Sequence, residues 1–151
     1  MLVELLLMAH VLVLERAAGL DRHLAGLLLL SPMLDDRMQA PSSHLTGDLL
    51  WSRTSNQTGW RMLLGDRAGA DGVSSYAAPG RATDLSGLPP TFIGVGSVEL
   101  FRDGDVAFAS TIWASGGDAE LHVWPGGFHG IEDMAPHSAL APTPSRHVTA
   151  G

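Results

Sequence analysis

The chain has 151 residues, 45% of them apolar and 17% charged, which fits one globular domain and argues against a disordered polymer. With 16 acids against 9 bases, all arginine, the net charge is −7, and that balance argues against nucleic acid as a partner. No cysteine is present, so disulfides and thiolate metal sites are excluded.

Taken in chain order, the first element is an apolar run, Met1 to Leu14, whose helix formers predict a helix over residues 2–18 with Gly19 as its C-cap. Glu4 stands where a secretory signal would carry Lys or Arg, and the run is shorter than the ~20 residues of a membrane span. A buried or half-buried helix is therefore expected, with no export signal, no integral membrane association and a cytoplasmic location. Ala25–Leu30 is apolar on both faces, the pattern of a central strand covered by helices on either side, and Ser31-Pro32 ends it.

Residues 33–80 change in texture, with Asp, Ser, Gly and Arg around Trp51, Trp60 and Tyr76. This stretch reads as an excursion from the sheet, with two short helices near Gly47–Arg53 and Gln57–Leu64, the second closed by Gly65. Thr91–Val95 then predicts a strand, Phe101–Ala114 a helix and Ala119–Trp124 a further strand stopped by Pro125. Met134–Gly151, rich in Pro, Ala and Ser, reads as a flexible tail.

Strand, excursion, strand, helix, strand is an α/β order with a parallel sheet. The unit from Thr91 to Trp124 is long enough for one right-handed crossover, which puts the ends of both strands on one rim, where open α/β sheets carry their sites. One strand leads into Gly96-Ser97-Val98-Glu99 and the other into Pro125-Gly126-Gly127-Phe128-His129-Gly130. An acid followed one such unit later by a histidine among glycines is the back end of the Ser…Asp/Glu…His order of α/β-hydrolases. In that chemistry the histidine moves the serine proton, and the carboxylate fixes its tautomer and stabilises the imidazolium.

Four stretches carry a closer likeness: Leu-Leu-Ser-Pro-Met-Leu-Asp-Asp-Arg (29–37), Gly-Leu-Pro-Pro-Thr-Phe-Ile (87–93), Val-Glu-Leu-Phe-Arg-Asp (98–103) and Glu-Leu-His-Val-Trp-Pro-Gly-Gly-Phe-His-Gly (120–130). In order and spacing they resemble signature stretches in the C-terminal half of the bacterial hormone-sensitive-lipase-like esterases. The resemblance implies a single, partial α/β-hydrolase domain over 1–151, with residues 33–80 as a cap-like excursion. It places Glu99 at the triad acid and His129 at the triad base, and implies a small acyl-ester substrate without a cofactor or metal. The family's His-Gly-Gly-Gly oxyanion segment and Gly-x-Ser-x-Gly elbow are not found; Ser97 has Val95 and Glu99 where the two glycines should be, and Ser74 and Ser86 also fail the pattern. The chain is therefore expected to be truncated.

Other residues compete for these roles. Glu99 also fits a solvated acid at a helix start, where the dipole favours it. Asp103 is an alternative acid, or a charge at the helix N-terminus. His129 could be a structural loop histidine, and His122 is expected on the strand surface or a pocket wall. Asp35-Asp36-Arg37 reads as an ion-paired loop clamp, since two adjacent carboxylates make a poor metal site. Trp51 and Trp60 suit an acyl pocket and a core equally well. His10, His23, His44, His137 and His147 have no metal-like spacing. Two functions follow: a carboxylic-ester hydrolase with a Ser-Glu-His triad, or an inactive half-domain that self-associates through an exposed sheet edge or needs a complementing half.

Overall fold

A computed structural model describes residues 25–45 and 50–131. The predicted helix over 2–18, residues 47–49 of that near Gly47–Arg53, the tail from Met134 and His10, His23, His137 and His147 lie outside the described residues.

Three strands form one parallel sheet in the order β1 (Leu27–Leu30), β2 (Thr91–Gly96), β3 (Ala119–Trp124). β2 lies in the middle of the described strands, pairing Leu27↔Thr91 on one side and Gly96↔Trp124 on the other. Its Thr-Phe-Ile-Gly-Val-Gly sequence suits that place, with β-branched side chains on a pleated, covered surface. Helix α2 (Arg102–Ala114) connects β2 to β3 and lays Phe108, Ala109 and Ile112 against Leu27, Leu29 and Ile93. These spacings of three and four residues form the helix's apolar stripe. Each large side chain buried there contributes on the order of 1.5–3 kcal/mol.

The opposite sheet face corrects the expectation that β1 is covered on both sides. Leu27 and Leu29 are buried, but Leu28 is 61% exposed. Leu28, Phe92, His122 and Trp124 alternate with the buried set, and no described helix packs on that side.

The excursion corrects a second expectation. One helix of 12 residues, α1 (Arg53–Leu64), replaces the separate second piece near Gln57–Leu64, and Leu50 to Ser52 are not helical. The physical reason is the cap: Ser52 Oγ accepts from Ser55 N at 3.2 Å, which starts the helix at Arg53 and carries it through Gly59. The chain leaves α1 at Gly65, with φ +60°. A local core of Met38, Trp60, Leu64, Val73 and Ala78 holds the excursion together. It is pinned by Asp36, which receives Arg81 at 2.6 and 2.9 Å and Gly69 N at 2.7 Å. Burial alone would raise the Asp36 pKa, but these hydrogen bonds and the Arg81 charge outweigh it and hold the group below its usual range.

Candidate active site

The parallel strands deliver three polar residues to one rim. Ser31 follows β1, Glu99 lies in the turn from β2 into α2, and His129 sits in the loop after β3. Glu99 is 5% exposed, yet its carboxylate is well satisfied. Oε1 accepts from the backbone N–H of Gly96 and from Ser31 Oγ, the latter at 2.8 Å. Oε2 faces His129 Nδ1 at 3.1 Å.

The backbone holds these two loops edge to edge. Ser97 N donates to Trp124 O at 2.9 Å, Val98 N to Gly127 O at 3.1 Å, and Gly126 N to Ser97 Oγ at 2.8 Å. Arg102 Nη1 adds a 2.8 Å bond to Ser97 O. Gly127 permits the approach because a Cβ there would meet Gly96 Cα at 3.1 Å, and a Cβ on Gly96 would overlap the Gly127 carbonyl. Gly130, with φ +77°, turns the chain immediately after the histidine.

The His129 ring is packed as well as bonded. Trp51 lies 5.7 Å away between centroids, and Phe101 meets it edge-on at 5.4 Å. A carboxylate oxygen can only accept, so Nδ1 is the donating nitrogen and the neutral ring keeps its lone pair on Nε2. Among the described residues no group bonds Nε2. An imidazole held this way can take a proton at Nε2, and the carboxylate beside Nδ1 stabilises the cation that forms.

The other candidates separate cleanly. Asp103 does not reach His129; it accepts from Arg102 Nε at 2.7 Å and from Ser42 N at 2.8 Å, while its own N–H donates to Ser42 Oγ at 3.0 Å. The Arg102 hydrogen bond is the main reason its pKa lies below the usual value. Ser42, fully buried, also donates to Leu100 O at 2.8 Å, so this latch ties the turn holding Glu99 to the excursion. His122 pairs with Glu120 at 2.7 Å and stacks between Phe92 and Trp124. Arg37 pairs with Asp35 at 2.6 Å, so Asp35-Asp36-Arg37 splits between two partners. Trp60 is core, whereas Trp51 borders the histidine. His44 is the exposed last residue of a 3-10 turn, and no group of three or more potential metal ligands exists among the described residues.

Sequence reasoning missed Ser31 as a contact of Glu99. Its signal was positional: it is the polar residue that ends β1 on the same rim, and its φ of +46° aims it there. It also missed Asp105, a fully buried carboxyl in the first turn of α2.

With this geometry in hand, the sequence matches the family described as alpha/beta hydrolase fold over residues 6–133. The chain belongs to that family. Over 58 residues it is 43% identical to carboxylesterase NlhH of Mycobacterium tuberculosis, covering 38% of this chain and 18% of that protein. Among solved structures it resembles a bacterial heroin esterase, with TM-score 0.83 and 34% identity over 91% of this chain and 44% of the other. Esterase LipW from Mycobacterium marinum is similar at TM-score 0.78 and 28% identity, over 91% of this chain and 42% of the other. The chain thus spans less than half the length of these relatives. Among the described residues no helix is long and apolar enough to cross a membrane.

Proposed function

We propose that this chain supplies the acid and base of a carboxylic-ester hydrolase, with Glu99 orienting His129 as general base. The observation that carries this reading is the 3.1 Å contact between Glu99 Oε2 and His129 Nδ1 at the rim of a parallel sheet. In the reaction, Nε2 takes the proton of a serine hydroxyl as its oxygen attacks the ester carbonyl, then gives that proton to the leaving alkoxide. Water repeats the sequence on the acyl-serine: Nε2 takes a water proton, the hydroxide displaces the serine, and the proton returns to serine. Glu99 steadies each imidazolium through Nδ1. The serine and its oxyanion donors come from outside these 151 residues, because no Gly-x-Ser-x-Gly occurs within them.

The relatives support an ester as the substrate class. One similar esterase crystal, of EstE5 (TM-score 0.74, 27% identity), was soaked with p-nitrophenyl butyrate, which makes that ester the natural probe. The test is to combine this chain with the elbow-bearing N-terminal portion of the related heroin esterase and follow p-nitrophenyl butyrate. Hydrolysis that appears with the wild-type chain and is absent with His129→Ala supports the assignment. Equal hydrolysis with both would remove His129 from the mechanism.

A second reading has its own observation. Among the described residues β1 pairs on one side only and leaves Leu28 61% exposed, as expected of a half-domain that self-associates through that edge. Sedimentation equilibrium decides it: a concentration-dependent dimer that Leu28→Lys dissociates supports association, and a monomer at all concentrations ends it.

A further inference from the structure

Helix α2 carries a carboxyl where its apolar stripe should continue. Asp105 lies three, four and seven residues before Phe108, Ala109 and Ile112, on the face turned to the sheet, and is 1% exposed. Neither carboxyl oxygen has a hydrogen-bond partner. A first-turn acid usually profits from free N–H groups at the helix start. Here both oxygens miss them, so nothing in the local structure explains why an acid was placed in the core.

Its surroundings connect it to the Glu99–His129 pair twice. The Asp105 N–H donates to Phe101 O at 2.9 Å, and the Phe101 ring rests edge-on against His129. Glu99 is the ionisable group whose charge acts on it; burial first and that charge second push its pKa well up. The remaining charges on the elements packed against α2 are engaged elsewhere. Arg102 and Asp103 pair with each other, Arg81 is committed to Asp36, and His44 is exposed at the end of its turn. The faces of β2 and β3 turned to the helix present Ile93, Val95 and Leu121, which carry no charge.

We propose that Asp105, a second buried carboxyl six residues after Glu99, is a positioning residue of the Glu99–His129 pair that sets how strongly Glu99 holds the histidine. While Asp105 is neutral, it adds no charge to the Glu99 group whose Oε2 faces Nδ1. When Asp105 loses its proton, a second charge joins that of Glu99 among buried residues, and it is felt at the His129 ring through Glu99.

This inference rests on the reading of Glu99 and His129 as a pair, and nuclear magnetic resonance of the full chain separates the two. The ring nitrogens of His129 are followed from pH 5 to pH 10 in wild type, Asp105→Asn and Glu99→Gln. Wild type is expected to show two inflections. The side-chain carboxyl carbon of Asp105, whose pKa burial pushes well up, should titrate at the midpoint of the second. Asp105→Asn, which is isosteric, should lose the second inflection and keep the first. Superimposable His129 curves in wild type and Asp105→Asn would overturn the proposal, as would an Asp105 carboxyl titrating in the ordinary carboxylate range in wild type itself. If Glu99→Gln also leaves the ring unchanged, the pair reading fails; if Glu99→Gln moves it while Asp105→Asn does not, only the role of Asp105 fails.

Discussion

Gly96 and Gly127 meet backbone to backbone, and on that contact depends the distance between the acid and the histidine. A methyl at Gly96 would occupy the space of the Gly127 carbonyl, which also accepts the Val98 N–H. Gly96→Ala is therefore expected to cost about 1–3 kcal/mol through forced backbone displacement. It should also lengthen the Glu99–His129 contact. Urea unfolding measures the first effect and the His129 ring resonances the second. An unchanged midpoint would show that the loops yield freely.

In the complemented enzyme the two site residues should differ in severity. His129→Ala is expected to lower kcat by at least about 10³-fold, since it removes the proposed general base. Glu99→Gln should slow turnover markedly while preserving the fold, because an amide cannot stabilise the imidazolium. Asp103→Asn should be milder, its carboxylate being occupied by Arg102 and Ser42. Steady-state rates on p-nitrophenyl butyrate order the three, and a reversed order of Glu99 and Asp103 would move the acid to Asp103.

Alone, the chain should hydrolyse p-nitrophenyl butyrate no faster than its His129→Ala variant. A fluorophosphonate should label no serine stoichiometrically, because the residues that form an elbow are not in the sequence. Ser97, the serine nearest in sequence to Glu99, has its Oγ engaged by Gly126 N at 2.8 Å. Covalent labelling mapped to any one serine, and lost in His129→Ala, would refute this.

Asp105 gives a pH dependence of stability with a definite sign. Its folded pKa lies above the unfolded value of 3.8, so the unfolded chain releases this proton first. The stability it allows is full below that value and is lost as pH rises toward the folded pKa. Asp105→Asn should remove this decline between pH 5 and pH 8. For a chain of this size each 1 kcal/mol recovered raises Tm by roughly 2–4 °C. Parallel Tm curves for the two proteins would contradict it.

Asp36 works in the opposite direction. Its folded pKa is lowered, so its stabilisation is present above the ordinary carboxylate range and is lost as pH falls through the folded value. Arg81→Ala leaves a buried carboxylate with only Gly69 N among its present partners from other residues, and should cost about 3–5 kcal/mol at neutral pH. Chemical denaturation at pH 7 and pH 3 should show the deficit shrinking at the lower pH.

The parts of this molecule that could be read from sequence are those where one residue type serves one purpose. β2 and β3 declare themselves through β-branched and alternating residues between prolines and glycines, and α2 through its stripe from Phe108 to Ile112. That Glu99 and His129 would meet could be anticipated because each lies shortly after a strand of one parallel unit. Ser31 was not, since its contact with Glu99 joins residues 68 apart and needs the register of β1 on β2. Asp105 was hidden for a different reason: an acid in a helix's first turn ordinarily faces water. Leu28 misled because a leucine run carries no period, so the buried face cannot be told from the open one. Trp51 and Trp60, equivalent on paper, were separated only by how the excursion folds.

The stitches between the Ser97 and Gly126 loops join residues that all lie within the described parallel unit. If the proposed complementation holds, the polypeptide bearing the serine would dock onto a receptor already shaped for it, rather than order one on arrival. Its capture should behave as rigid association, at about 10⁵–10⁷ M⁻¹ s⁻¹, without the slow step of a partner that must fold as it binds.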